Sequence, residues 1–212
     1  KPKIMYHIYP TLLNTYSLFT EKVVDKNGDL LVTFEKLIAS INREAKPVSD
    51  PQQTGINFEN AVITGKGASA FSENILEQIR NKLPKKFKTQ VFSKFTLRNV
   101  EIYGYIDVLG EGKAIDIKTT NSYAPGKYAN NFQNLYLLGL RNKGVNQLDY
   151  LVTDFNEVYV ESYNVRQFNF NPMLEQIENF TRFLELNKSL ISDRKIFGEE
   201  NSPKILPLFP NL

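Results

Sequence analysis

The sequence predicts a mixed α/β fold, an α+β arrangement in which helices flank one central mixed sheet. Three observations carry that expectation. Residues 88–97, 99–109, 113–119, 147–153 and 157–163 alternate polar with β-branched or aromatic side chains, the period of half-buried strands. The stretches before, between and after them repeat apolar residues at helical spacing. The composition, 42% hydrophobic and 23% charged over 212 residues, is that of a globular chain able to bury a core.

The elements follow in order within one expected domain: residues 1–53 as a helical extension, 54–165 as the core, and 166–212 as a C-terminal helix and tail. Pro10 opens a short helix through Leu12, Leu13 and Tyr16, with Thr11 as its expected cap. Asp25-Lys-Asn-Gly-Asp29 is turn chemistry, and Leu31, Phe34, Leu37, Ile38 and Ile41 then recur helically up to Pro47. Ser49 to Thr54 reads as a loop, and a short helix is expected from Gly55 to Ile63, ended by Gly65-Lys-Gly67. Phe71, Ile75, Leu76, Ile79 and Leu83 mark an amphipathic helix that Pro84 stops. Gly110-Glu111-Gly112 supplies a tight turn between the second and third of the alternating segments. Pro125-Gly126 precedes an expected helix of about sixteen residues ending near Gly144. Met173, Ile177, Phe180, Phe183 and Leu184 mark the last helix, and the tail from Asn201, with Pro203, Pro207 and Pro210, is expected to be extended.

Composition also removes whole classes of chemistry. With no cysteine, a disulfide scaffold, an iron–sulfur cluster, a Cys-based zinc site and a cysteine nucleophile are excluded. A single histidine, His7, argues against a Ser-His triad or a His-rich metal site, so any metal must sit on oxygen ligands. The net charge of +3 permits nucleic-acid binding by a local patch without demanding it. No segment approaches the ~18–20 apolar residues of a membrane span. The first residues, broken by Pro10, lack the continuous apolar core of a signal peptide. A soluble intracellular protein without membrane association is the expectation.

The informative stretch runs from Gly104 to Thr120. Asp116 and Lys118 are two apart on a predicted strand and project from one face, while Ile115 and Ile117 point the other way into a core. The turn at Gly110–Gly112 folds Asp107 back beside Asp116. Two carboxylates and an ammonium then converge, and adjacent anions raise each other's pKa unless a cation is shared. Hard oxygen donors of this kind select Mg²⁺ or Mn²⁺. The pattern acid-x-Lys recurs at Glu44-x-Lys46, Glu111-x-Lys113 and Asp193-x-Lys195, but only Asp116-x-Lys118 sits inside an apolar strand with a second acid on its neighbour. A ladder of cross-strand surface charges is the plainer alternative for the hairpin alone.

These residues resemble the PD-(D/E)XK nuclease superfamily, its RecB-like and phage-exonuclease branch in particular. The order helix, three strands, helix, strand over residues 54–153 is similar to that of the restriction-endonuclease-like core, αβββαβ. Asp107, Asp116 and Lys118 match its first acid and its acid-x-Lys. Gly104-x-x-Asp107 and the Thr119-Thr120 pair after the lysine resemble the RecB-like wording. Gly55-Ile-Asn-Phe-Glu59 resembles the early helix motif that offers a carboxylate to the metal, an ordinary exposed helix glutamate being the alternative. Gln133-Asn-Leu-Tyr136 resembles the Gln-x-x-x-Tyr helix motif, with the tyrosine one place early but still on the same helical face.

The resemblance implies a metal-dependent nuclease hydrolysing DNA phosphodiesters, in recombination, repair or phage DNA processing, with a possible recombination or replication partner protein. It implies a cytoplasmic setting in a bacterial or phage-infected cell. Asp107 and Asp116, with Glu59 and the Ile117 carbonyl, are expected to hold Mg²⁺ or Mn²⁺; Lys118 is expected to stabilise charge on phosphorus and Gln133 to position the lysine or a water. Thr119, Thr120, Tyr136 and the basic run Lys82, Lys85, Lys86 and Lys88 are the expected nucleic-acid contacts. Tyr103, Tyr105, Tyr123 and Tyr128 are candidates to stack on unpaired bases. The absence of cysteine departs from the many RecB-like nucleases that carry an iron–sulfur cluster, and helicase motifs are lacking too. An inactive nucleic-acid-binding or scaffold module on the same fold is the competing reading.

Overall fold

The structure, a computed structural model, describes residues 6–199. The tail expected beyond Asn201 lies outside the described residues. The chain runs β1 (Tyr6–Ile8), α1 (Pro10–Thr20), α2 (Phe34–Ile41), α3 (Asp50–Thr64), α4 (Glu73–Arg80), β2 (Lys88–Leu97), β3 (Val100–Gly110), β4 (Lys113–Thr119), α5 (Leu135–Leu140), β5 (Gln147–Thr153), β6 (Val158–Asn164) and α6 (Asn171–Leu186). The strands form one mixed sheet: β1 is parallel to β3 and β4 to β5, whereas β2–β3, β3–β4 and β5–β6 are antiparallel. Among the described residues no helix is long and apolar enough to cross a membrane.

The register of β3 sets the geometry of the molecule. β2 pairs with it from Leu97 opposite Val100 to Lys88 opposite Leu109, the ladder being interrupted only at Gln90 and Asp107. The other edge is shared by two short partners: β1 takes Val100 to Ile102, and β4 takes Val108 to Gly110. Residues 103–107 of that edge lie between the two partners, and there β3 and β4 part. The tight turn at the other end of the β3–β4 hairpin has left-handed backbone at both Glu111 and Gly112, with φ of 51° and 76°, which suits the right-handed twist of the strands.

Helices cover both faces. Phe58 and Ala61 of α3 and Ile75, Leu76 and Ile79 of α4 pack on Val108, Ile115, Ile117 and Leu151. On the other face Tyr136, Leu137 and Leu140 of α5 pack on Ala114, Leu148, Tyr150 and Val152. A third cluster joins α1, α2 and α6 to β1 and the start of β3 through Leu12, Leu13, Leu37, Ile8, Ile102 and Phe180.

Several local expectations are corrected. Tyr6–Ile8, inside the stretch read as helical, form a strand; three residues are too few to show a period. Thr11 is not the cap of α1, since Tyr9 precedes Pro10 as the N-cap and no side chain caps it. Ser49 to Thr54 is mostly helix, because Ser49 and Gln52 form a reciprocal capping box with Pro51 in the first turn. α4 is shorter than its apolar period suggested, with Phe71 extended before it. The long helix after Pro125 is broken into turns, a 3-10 segment at Phe132–Asn134 and the short α5. Asparagine side chains cause the break: Asn131 accepts from Gln133 N, and Asn134 donates to the Tyr128 and Ala129 carbonyls, each competing with helix backbone bonds.

Candidate active site

The site forms where β3 and β4 part. Continuing the register of Val108 opposite Ile115 brings Asp107 opposite Asp116. Instead of a backbone ladder bond, the Asp107 carboxylate accepts from Ile117 N, with Oδ2 at 3.1 Å. Asp116 is 4% exposed. Its Oδ1 accepts from Gln133 Nε2 at 2.5 Å, and Lys118 Nζ lies 2.6 Å from its Oδ2. Both Asp116 oxygens are thus engaged, one by an amide and one by an ammonium. Burial works against the charge of Lys118, but Asp116 and Asp107 outweigh it and hold its pKa above the ordinary lysine value. The side chain is therefore an ammonium at neutral pH.

Glu59 enters from α3. A Cβ at Gly55 would stand 3.3 Å from Thr119 Oγ1; a bare glycine lets α3 approach the end of β4, and Glu59 follows about one turn later. Gln90 then joins helix to sheet, its Nε2 donating to Glu59 Oε1 at 2.6 Å and to Asp107 Oδ1 at 3.3 Å. Burial raises the Glu59 pKa, the Gln90 bond opposes, and the charge of Asp116 adds to the rise. Burial, then the charges of Asp116 and Glu59, push the Asp107 carboxyl up to about 7. Three acids thus share a confined space with one ammonium.

Glu59, Asp107, Asp116, Lys118, Gln133 and the Ile117 main chain come together. Gln133 reaches Asp116 rather than the lysine, and it does so from the 3-10 segment rather than a long helix. Tyr136 is not placed for a nucleic-acid contact. It is 3% exposed, its hydroxyl bonds the Tyr105 carbonyl at 3.5 Å along the unpaired edge of β3, and a Cβ at Gly104 would overlap that hydroxyl. Gly104 is required for this approach. The Thr120 hydroxyl is engaged within its own loop, donating to Ser122 O and accepting from Lys127 Nζ, and Thr119 abuts Gly55. Lys82, Lys85, Lys86 and Lys88 are exposed on the α4–β2 link and the first residue of β2. His7 pairs with Glu101 at 3.0 Å. Tyr123 stacks on Tyr159 and Tyr128 on Tyr150. Tyr103 accepts from Arg43, and Tyr105 stays 59% exposed.

Gln90 was not read from the sequence as a site residue. The signal available was its register, opposite Asp107 on the neighbouring strand. Its backbone is left-handed, φ 48°, in the middle of β2, a conformation that costs a non-glycine residue about 1 kcal/mol or more and persists where surrounding contacts demand it.

The donor set fits a hard divalent cation. The acids offer oxygens only, and the repulsion among Asp107, Asp116 and Glu59 is of the kind a shared cation relieves. Among the described residues no group of three or more His, Cys, Asp or Glu side chains is placed to hold a metal ion; the Gln90 amide occupies oxygens of Glu59 and Asp107, and the Lys118 ammonium one of Asp116, that a cation would need.

No protein-family model matches this sequence, and no curated protein matches it. The fold is similar to that of a solved protein from Eubacterium rectale called a "putative exonuclease", with a TM-score of 0.52 over 94% of this chain and 91% of that one. At 11% identity, the likeness is one of fold. A second solved protein, SSO0001, aligns over 77% of this chain and 84% of its own at 16% identity, but its TM-score of 0.35 is too low to argue from.

Proposed function

We propose that this protein is a Mg²⁺- or Mn²⁺-dependent nuclease that hydrolyses DNA phosphodiester bonds, a member of the PD-(D/E)XK superfamily. The observation that carries the reading is the meeting of Asp107, Asp116, Lys118 and Glu59, from two strands and a helix, at the parting of β3 and β4. The neighbour of like fold bears the name of an exonuclease, which agrees in class.

Asp107, Asp116 and the Ile117 carbonyl, with Glu59 once released from Gln90, would hold the metal. When bound, Mg²⁺ supplies polarisation of a phosphate oxygen and acidification of a water. Lys118, held as an ammonium, cannot accept a proton; it faces the charge that grows on the phosphate oxygens and stabilises it from a fixed position. Gln133 holds the Asp116 carboxylate in its rotamer, and Asp116 in turn aims Lys118.

The test is cleavage of end-labelled DNA with Mg²⁺, Mn²⁺, Ca²⁺ or EDTA. Cleavage with the first two, none in EDTA and little with Ca²⁺, whose larger and looser shell aligns phosphate and water less well, is the expected pattern. Asp116→Asn is expected to lose both cleavage and Mn²⁺ binding. Robust cutting in EDTA would overturn the metal mechanism.

A further inference from the structure

Beside the site the sheet carries an exposed aromatic pair that joins Tyr105, one of the candidate stacking tyrosines, to Phe92. Phe92 on β2 and Tyr105 on β3 are direct cross-strand partners. Their ring centroids are 5.3 Å apart, and the residues are 52% and 59% exposed. Single exposed apolar residues are ordinary; here two rings, with planes tilted by 60°, adjoin on one exposed surface. Each stands two residues along its strand from the site, Phe92 from Gln90 and Tyr105 from Asp107, a distance of about 7 Å. In the opposite direction the surface leads into a cavity of about 490 Å³ lined by Phe92, Lys94, Tyr103, Arg43 and Lys195 among others. Arg43 is committed to Asp193 and to the Tyr9 and Tyr103 rings. Lys94 is 61% exposed at its side chain and contacts Glu101 only at 3.5 Å, and Lys195 is exposed. Glu101 and Glu199 also line the cavity; Glu199 is paired with Arg194 and Lys188, and Glu101 contacts the His7 ring and, more loosely, Lys94.

We propose that Phe92 and Tyr105 form a stacking platform for unpaired bases, so that single-stranded DNA lies along the β2–β3 surface from the Asp107 site to the Lys94–Lys195 cavity. The chemistry is specific to single strands. A duplex presents base edges in its grooves and keeps its base faces stacked on one another, whereas an exposed aromatic ring can stack on an unpaired base; aromatic side chains flanked by cations are the usual means of holding a single strand. Lys94 and Lys195 complement the following phosphates. The assignment of a DNA substrate rests on the nuclease reading above, while the ring pair can be tested without any cleavage.

The experiment measures binding of a fluorescent twelve-nucleotide oligo-dT, and of a blunt duplex of the same length, to the full chain in EDTA. The wild type is expected to prefer the single strand by about tenfold or more, and Phe92→Ala/Tyr105→Ala to lose that preference with about a tenfold or greater fall in single-strand affinity. Phe92→Leu/Tyr105→Leu, which keeps apolar bulk and guards against a folding defect, is expected to behave the same way, whereas Phe92→Tyr retains binding. Lys94→Ala is expected to weaken both substrates and to lower the salt dependence by about one counterion. Unchanged single-strand affinity in both double variants, a duplex preference in the wild type, or a wild-type dimer that the double variants dissolve would overturn the platform. Ring-dependent single-strand binding without metal-dependent cleavage would leave the platform standing and remove the nuclease reading; cleavage with ring-independent binding would do the reverse.

Discussion

The two faces of β4 are built from alternate residues of one seven-residue strand, yet they do opposite things. Ile115 and Ile117, 0% and 7% exposed, lie under α3 and α4 in a packed apolar layer. Asp116 is almost as buried at 4%, but its partners are an amide and an ammonium, while the Asp107 carboxylate repels it across the gap between β3 and β4. Burial on the first face is favourable by itself. On the second it is tolerable only through partners, because desolvating a charge costs more than burying an alkyl group returns. The apolar face stabilises the strand, and that stability lets the polar face keep Asp116 and Lys118 beside Asp107 of β3 and Glu59 of α3.

The largest effect is expected from Lys118→Ala, which leaves the apolar face alone. Loss of one preorganised group that acts on transition-state charge typically costs about 10²–10³ in rate. Single-turnover cleavage should show that loss while equilibrium DNA affinity stays nearly constant. A rate that falls only in step with affinity would make Lys118 a phosphate anchor. Ile115→Ala breaks the other face: a fully buried residue cut to alanine typically costs about 2–5 kcal/mol, visible as a lower denaturant midpoint. Metal affinity of the folded protein should change little.

The two acids should then differ in sign. Asp107 shares its space with Asp116 and Glu59, so Asp107→Asn is expected to raise the melting temperature of the metal-free protein, by about 1 kcal/mol or a few degrees. Asp116→Asn strands Lys118 beside fewer anions and should lower the folding stability by about 1–3 kcal/mol, less than for a fully buried pair because the lysine side chain is 29% exposed. Both variants are expected to lose cleavage. A parallel shift of the two melting curves would contradict this division of labour. The smallest effect concerns Gln90→Ala. Removing the amide that competes for Glu59 and Asp107 oxygens should tighten Mn²⁺ binding a few-fold by calorimetry, and weaker binding would recast Gln90 as a required positioning residue.

The strands were legible because alternation is a local property: β2, β4 and β5 fall where their two-residue period begins and ends, and β3 and β6 differ by one residue. The convergence of Asp107 with Asp116 followed from the same alternation and a two-residue turn. Ser49 and Gln52 carried a capping signal that the neighbouring Asp50 and Pro51 disguised as a loop. The asparagines after Pro125 hid the break in the expected helix, since their effect depends on which carbonyl each side chain finds.

The sequence by itself determined the alternation of β4, the turn that returns it to β3, and the residue types able to hold a cation without cysteine or histidine clusters. Tertiary structure alone decided that β1 and β4 share one edge of β3 and leave a gap, that Gly55 brings α3 and Glu59 up to that gap, and that Gln90 bridges the two. The physical reason is range. A period or a turn is fixed by neighbours a few residues away, whereas the gap and the bridge exist only once segments distant in the chain have packed against one another.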